Sequence, residues 1–185
     1  REPMLRFVQW GRTFGLASAR GTWKIGDTSD PVTRLGQSPL RSPSVFNFFR
    51  PGYVPPFAGL ANGQVAPEFQ IVTETSVSGF LNFMQGAIRN GLWVGAPDLP
   101  QSGSNANNGY DITCAYANLL PLVADAKALV AKAALLLSAN QVGADVQARL
   151  ATALEATPVS ASSSSSVQLN RVAAVVLLVM CCPAS

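Results

Sequence analysis

The sequence predicts a mainly α-helical, irregular multi-helix domain with long loops rich in Pro, Gly and Ser. Apolar residues recur every three or four positions in several stretches, the period of a helix with one buried face. Two of these stretches open with a proline, which is favoured at the first position of a helix. Turn-forming residues separate the stretches. We expect a single domain over residues 1–185, with flexible loops at residues 92–111 and 158–166.

The first helix is expected to begin at Glu2-Pro3 and to end between Phe14 and Ala19, because Gly11 and Gly15 weaken it. Residues 21–40 are rich in turn formers and predict an irregular segment, with a short extended piece at residues 22–25.

Ser42 and Pro43 are a good cap and first residue for a short helical turn, which the prolines after residue 50 would end. The second long helix is expected from Pro67, where Glu68 places a negative charge on the positive end of the helix dipole. It should end near Asn90-Gly91, although four Thr and Ser residues between 73 and 78 lower its helix propensity.

The C-terminal part is predicted to be helical from Thr113 onward. The expected segments are residues 112–123 with a break at Pro121, residues 126–138 capped by Asp125, residues 144–156, and residues 167–182. The last helix is apolar on almost all sides, which predicts a central core helix or an interface helix.

Composition excludes several classes of chemistry. The chain has no histidine, which removes His-based catalysis and His metal ligands. It has no Cys-x-x-Cys pair and no cofactor motif, so no metal or cofactor is expected. Cys114 pairs with Cys181 or Cys182, or all three are buried free thiols.

Arginines are scattered rather than clustered, so no nucleic-acid partner is predicted. The longest apolar run, Val172–Cys182, is too short for a transmembrane span.

Polar candidates for a site cluster in the central region. Asn47 and Arg50 are close enough in sequence to share a local site, whereas Glu68 and Glu74 have the wrong helical spacing for a carboxylate pair. The competing interpretation is structural: Asn47 caps a turn and Arg50 pairs with Glu68. Exposed aromatic rings are the other candidates for binding an extended ligand, and they are Trp10, Trp23, Tyr53 and Trp93.

Residues 42–70, which we call the signature segment, carry a family resemblance. Pro43-Ser-Val-Phe-Asn-Phe-Phe, Pro51-Gly-Tyr-Val-Pro-Pro and Ala66-Pro-Glu-Phe-Gln resemble the C-terminal region of DUF1800, a bacterial family of uncharacterised proteins. The resemblance implies a longer precursor and an extracytoplasmic location, in the periplasm or at the cell surface, and it implies no reaction. Within this frame, the segment's aromatic rings are expected to lock two helices together.

Three functions are compatible with these observations. The favoured one is an exported structural or interaction protein in an assembly, since only 12% of the residues are charged and interface cores are depleted of charge. Its partners would be other parts of its precursor or neighbouring protein subunits. The alternatives are a fragment of an uncharacterised enzyme and a binding module for a glycan or a peptide.

Overall fold

The computed structural model describes residues 2–56, 64–94 and 109–182. Within these ranges the chain forms five α-helices and one small antiparallel sheet, so the predicted mainly α class is confirmed. The elements in chain order are α1 Pro3–Thr13, β1 Ala17–Ser18, α2 Glu74–Asn90, β2 Leu92–Val94, β3 Gly109–Thr113, α3 Ala126–Ser138, α4 Ala144–Glu155 and α5 Ser165–Met180. Two 3-10 helices, Pro67–Ile71 and Leu120–Leu122, complete the set.

The chain divides into two compact units. The first unit contains residues 1–5 and 26–83, and the second contains residues 6–25 and 84–185. The expectation of a single domain stays a prediction.

The core of the second unit is built by α3, which packs against α4 and α5. Asp125 caps α3 as expected, because its carboxylate accepts a hydrogen bond from the Ala128 N–H at 2.9 Å. The buried apolar residues repeat at helical spacing in α3 and α5, and they include Leu129, Val130, Ala133, Leu137, Val172, Val175, Val176 and Val179. The apolar C-terminal helix is therefore a core helix of this unit.

Arg171 is a charged residue inside this core, with 7% of its surface exposed. Its guanidinium donates to the carbonyl oxygens of Leu154 at 3.1 Å and Thr157 at 2.8 Å, at the C-terminal end of α4. The Leu154 carbonyl also accepts from the Thr157 N–H at 3.1 Å. The C-terminal end of a helix carries the negative end of its dipole, so a cation there is stabilised. The interaction joins α5 to the end of α4.

A second buried polar contact ties α1 to the end of α2. The Trp10 Nε1–H donates to the Tyr116 hydroxyl at 3.1 Å, and that hydroxyl donates to the Ile88 carbonyl at 2.8 Å. The ring of Phe14 packs on Tyr116 with centroids 5.0 Å apart. Burial, together with the neighbouring thiol of Cys114, raises the pKa of Tyr116, so the phenol remains a neutral donor.

Cys114, Cys181 and Cys182 are free thiols in this structure. Burial raises the pKa of Cys114 to about 12, so this thiol is protonated and unreactive at neutral pH. Of the two alternatives left open by the sequence, the structure has the free thiols, although Cys181 is exposed and Cys114 and Cys182 are only partly buried.

The first unit is organised around a buried glutamine and a close backbone approach. The Gln37 side chain accepts from the Met4 N–H at 3.2 Å and donates to the Glu2 carboxylate at 2.7 Å. Gly79 lies on α2 where a Cβ atom would collide with the Pro31 carbonyl oxygen and lie 2.8 Å from that of Val32. Only glycine allows this approach of the loop to the helix.

The sheet was not expected from the sequence. Residues 92–111 were predicted as a loop, yet β2 and the start of β3 lie in this range, and β3 replaces the start of the helix expected at residues 112–123. The sheet order is β1-β3-β2, with both pairs antiparallel. Strands of two to five residues are too short to show an alternating pattern, which explains the error. Residues 95–108 of the predicted loop lie outside the described residues.

The helix expected from Pro67 to Asn90 is interrupted. A 3-10 helix ends at Ile71, and α2 starts at Glu74. The Ser76 N–H donates to the Thr73 hydroxyl at 3.1 Å, and the Thr73 N–H donates to the Ser76 hydroxyl at 2.8 Å. This reciprocal capping pair begins a new helix, so the residues predicted only to weaken the helix divide it instead.

Other boundaries differ slightly from the expectation. α1 ends at Thr13, and Gly15 follows with a φ of 64°. The extended residues are Ala17–Ser18 rather than 22–25. α5 starts inside the predicted 158–166 linker, with Ser164 as its cap. In the part of the chain that is described, no helix combines the length and the apolar character that crossing a bilayer requires.

Replacing Arg171 by Ala is expected to lower the free energy of unfolding by about 3 kcal/mol, because two carbonyls at the end of α4 lose a charged donor in a buried place. Urea denaturation followed by circular dichroism measures the loss. Arg149→Ala on the exposed face of α4 is the matched control and should change stability by less than about 0.5 kcal/mol. Equal stabilities of the two variants would contradict the role of Arg171.

Candidate functional site

The first half of the signature segment forms a tight turn rather than the expected helical turn. The Asn47 N–H donates to the Ser44 carbonyl at 3.1 Å, and the Phe46 N–H donates to the Ser44 hydroxyl at 3.2 Å. Asn47 has a φ of 67°, in the left-handed region that asparagine tolerates better than most residues. The prediction of a helix capped by Ser42 is therefore wrong, because Ser44 and Asn47 close a turn two residues later.

The second half of the segment is joined to the first through backbone groups. The Arg50 N–H donates to the Gln70 side-chain oxygen at 2.7 Å, and the Ala66 N–H donates to the Tyr53 carbonyl at 2.9 Å. A further turn is closed between Arg50 and Tyr53 at 3.1 Å. These bonds hold the proline-rich part against the 3-10 helix Pro67–Ile71, so the described part of the segment has a defined conformation.

Several large apolar side chains of this region are exposed to solvent, whereas Phe48 and Phe49 are half-buried. Val45 is 95% exposed, and Phe46 and Phe69 are each 59% exposed. Exposed Phe46 and Phe69 do not lock helices together in this structure, contrary to the expectation for the aromatic rings. We call the exposed large apolar residues of this region the signature surface, and they are Leu40, Val45, Phe46, Val54, Val65, Phe69 and Val72.

Leu40 adds a strained position to this surface. It is fully exposed and has a φ of 60°, at a turn in which the Arg41 N–H donates to the Ser38 carbonyl at 3.2 Å. A leucine gains nothing from the left-handed region, so such strain persists only where the surrounding structure imposes it.

The predicted polar site residues all lie in the first unit. Asn47 and Arg50 lie in the turns just described, and Tyr53 is half-buried beside them. Glu68 is in the first turn of the 3-10 helix, Glu74 opens α2, and both are exposed. The ion pair between Arg50 and Glu68 stays a prediction.

The second unit has a β-bulge in its sheet. Leu92 pairs with Ile112 while Trp93 pairs with Tyr110, so β3 carries one extra residue, Asp111. The bulge allows Asp111 and Ile112, which are consecutive, both to be buried, and it turns Tyr110 toward solvent. Bulges re-aim side chains in this way and are common next to functional sites.

Trp93 and Tyr110 form an exposed aromatic pair on this sheet. Their ring centroids are 5.1 Å apart and their planes meet at 85°, an edge-to-face arrangement. Trp93 is 59% exposed and Tyr110 is 51% exposed, whereas Leu92 and Val94 on either side of Trp93 are buried. We call this pair the aromatic corner. The sequence indicated Trp93 as a candidate but missed Tyr110, since only the bulge brings it there.

Asp111 is 1% exposed and is the hub of this site. Its carboxylate accepts hydrogen bonds from the Ser18 hydroxyl, from the Arg20 N–H at 2.8 Å and from the Thr22 hydroxyl at 3.0 Å. Burial acts to raise the pKa of Asp111, but these hydrogen bonds and the charge of Arg20 outweigh it, so the pKa lies below its usual value.

The same network holds Trp23, a candidate from the sequence. The Trp23 N–H donates to the Ser18 hydroxyl at 3.3 Å, and Trp23 has a φ of 51° with 53% of its surface exposed. Trp10, by contrast, is fully buried and cannot contact a ligand. Among the described residues, no group of three or more Cys, Asp or Glu side chains is placed to bind a metal ion.

Comparison with known proteins gives a family and no function. A family model described as a protein of unknown function, DUF1800, matches residues 1–184. No curated protein and no solved structure matches the chain significantly.

The Asp111 network predicts a pH-dependent contribution to stability. Its pKa is lowered in the folded state, so its stabilisation is complete above the unfolded-state value of about 4 and is lost as the pH falls through the folded-state value. Asp111→Asn places an amide NH₂ against donors, and the variant should be less stable than the wild type at neutral pH. The difference should shrink as the pH drops below about 4.

Urea unfolding between pH 7 and pH 3 measures this difference. Glu155→Gln, which changes an exposed carboxyl at the end of α4, is the control and should leave the pH dependence of the wild type in place. A constant difference between the wild type and Asp111→Asn at all pH values would contradict the prediction.

Proposed function

The chain belongs to the DUF1800 family of proteins of unknown function, and from this premise we propose that it is an interaction protein whose signature surface packs against another protein subunit. The observation that carries the proposal is the exposure of Val45, Phe46 and Phe69 on turns that hydrogen bonds hold in place. These three side chains of the signature segment are thus directed outward, whereas Phe48 and Phe49 are half-buried.

The energetics support a covered surface. Leaving apolar area in water costs about 25 cal/mol for each Å² that a partner would otherwise bury. Monomeric soluble proteins rarely expose contiguous apolar patches larger than a few hundred Å². A chain with only 12% charged residues also has the composition of a protein that forms contacts, because interface cores are depleted of charge.

The conformation of the surface is also favourable for binding. The bonds from Ser44 to Asn47 and from Arg50 to Gln70 fix the turns before a partner arrives, so less conformational entropy is lost on association. The strained, fully exposed Leu40 is consistent with a side chain held out for contact.

The partner in the simplest case is a second copy of this chain, and otherwise it is another part of the precursor or a neighbouring subunit. The enzyme alternative would need Glu68 or Glu74 to act from exposed positions at helix starts, which does not favour it. The extracytoplasmic location stays a prediction that rests on the family alone.

Sedimentation velocity over a range of concentrations tests the proposal. The wild type should associate, and the double variant Phe46→Ser/Phe69→Ser should associate at least about tenfold more weakly, because aromatic anchors dominate interface energies. Leu135→Ser changes an equally exposed apolar residue on α3 and is the matched control, which should behave as the wild type.

A wild-type chain that stays monomeric at every concentration would count against association with its own copies. A double variant that associates as strongly as the wild type would overturn the role of the signature surface.

A further inference from the structure

Two side chains of opposite charge accompany the signature surface where the chain enters α2. Arg50 is held there by its backbone N–H, which donates to the Gln70 side-chain oxygen at 2.7 Å. Glu74 is the first residue of α2 and follows Gln70 closely in the chain. The exposed Phe69 and Val72 belong to the same stretch, so one cation and one anion lie with these apolar side chains.

The other charged side chains of this region are already engaged. Arg41 forms an ion pair with Asp27 at 3.5 Å, and Glu68 has an interaction of its own. Arg50 and Glu74 are both exposed and do not pair with each other within the chain. Among the described residues of the signature segment and the start of α2, these two are therefore the charges left for a partner.

We propose that the signature surface binds a second copy of this chain across a two-fold axis, with Arg50 of each copy paired to Glu74 of the other. This inference rests on the proposed function and assigns both the partner and the residues that orient it. In an isologous contact the same patch is used twice, so a residue that meets another residue is met by it in return. One pairing of Arg50 with Glu74 is therefore always formed twice.

The balance of charge favours a self-complementary contact. A strongly acidic or basic partner is attracted by a patch of one sign, whereas the charges of Arg50 and Glu74 cancel. Two identical patches that each carry one cation and one anion are complementary when they meet in opposite directions, because like charges are then kept apart. The charge pattern thus fits another copy of the same surface.

The apolar and the charged side chains have different roles in this contact. Phe46 and Phe69 supply apolar area that leaves water, and aromatic anchors of this kind dominate affinity. Exposed ion pairs add little to affinity, but like charges that face each other are unfavourable and exclude a wrong orientation. Arginine suits the second role, because its planar guanidinium can donate to both oxygens of a carboxylate.

Charge reversal tests the pairing, with association measured by sedimentation velocity. Arg50→Glu and Glu74→Arg should each associate about tenfold more weakly than the wild type, because two attractive pairs in each dimer become repulsive. The double variant Arg50→Glu/Glu74→Arg exchanges the two signs and should recover the wild-type affinity to within about threefold. An equimolar mixture of the two single variants should associate about tenfold more tightly than either alone, because each copy offers the charge that the other lacks.

Two variants of the second unit are the matched controls. Arg149→Glu and Glu155→Arg also reverse exposed charges, and both should associate as the wild type does. Their equimolar mixture should be no tighter than the wild type. Circular dichroism verifies that every variant is folded, and a loss caused by misfolding would be recovered neither by the second reversal nor by mixing.

Failure of this inference can be distinguished from failure of the proposed function. Suppose that the wild type associates and that Phe46→Ser/Phe69→Ser weakens the association. Charge reversals without effect, or reversals that neither the double variant nor the mixture recovers, then overturn the pairing and leave the surface as an interface.

A wild type that stays monomeric at every concentration overturns the second copy as the partner. A variant Phe46→Ser/Phe69→Ser that associates as strongly as the wild type overturns the role of the surface itself, and the pairing with it.

Discussion

The second unit depends on the satisfaction of one buried carboxylate. A charged group with 1% of its surface exposed is stable only if hydrogen bonds replace the water it has lost, and Asp111 obtains three from residues 18–22. Those bonds fix the path of the chain after β1, and they stabilise the extra residue in β3. The bulge in turn decides that Tyr110 faces outward beside Trp93. The need to satisfy the buried Asp111 carboxylate therefore leads to the exposure of Tyr110 beside Trp93.

The first unit differs, because several large apolar residues of the signature segment are exposed to solvent. Pro51, Pro55 and Pro56 prevent a regular helix or strand, so the backbone is satisfied by turns at Asn47 and Tyr53. Turns of this kind have little interior in which to bury a side chain. Val45, Phe46 and Val54 consequently remain exposed, while Phe48 and Phe49 are half-buried, and the exposed side chains form part of the signature surface.

Local sequence signals predicted the helices and failed at features that depend on distant residues. The helix expected at residues 126–138 is α3, bounded as predicted, because Asp125 and the apolar spacing are both local. The break before α2 was missed because Thr73 and Ser76 act as a pair, while their separate propensities only suggest weakness. Tyr110 and Asp111 were missed because a bulge depends on the register with β2 and on donors about ninety residues away, which no local pattern encodes.

The buried polar groups of the second unit are engaged in contacts that hold its elements together. The Asp111 carboxylate accepts from three donors, the Tyr116 hydroxyl bonds to Trp10 and Ile88, and the Arg171 Nη1 donates to two carbonyls at the end of α4. Each of these groups joins elements that are distant in the sequence, so its replacement is expected to loosen the fold.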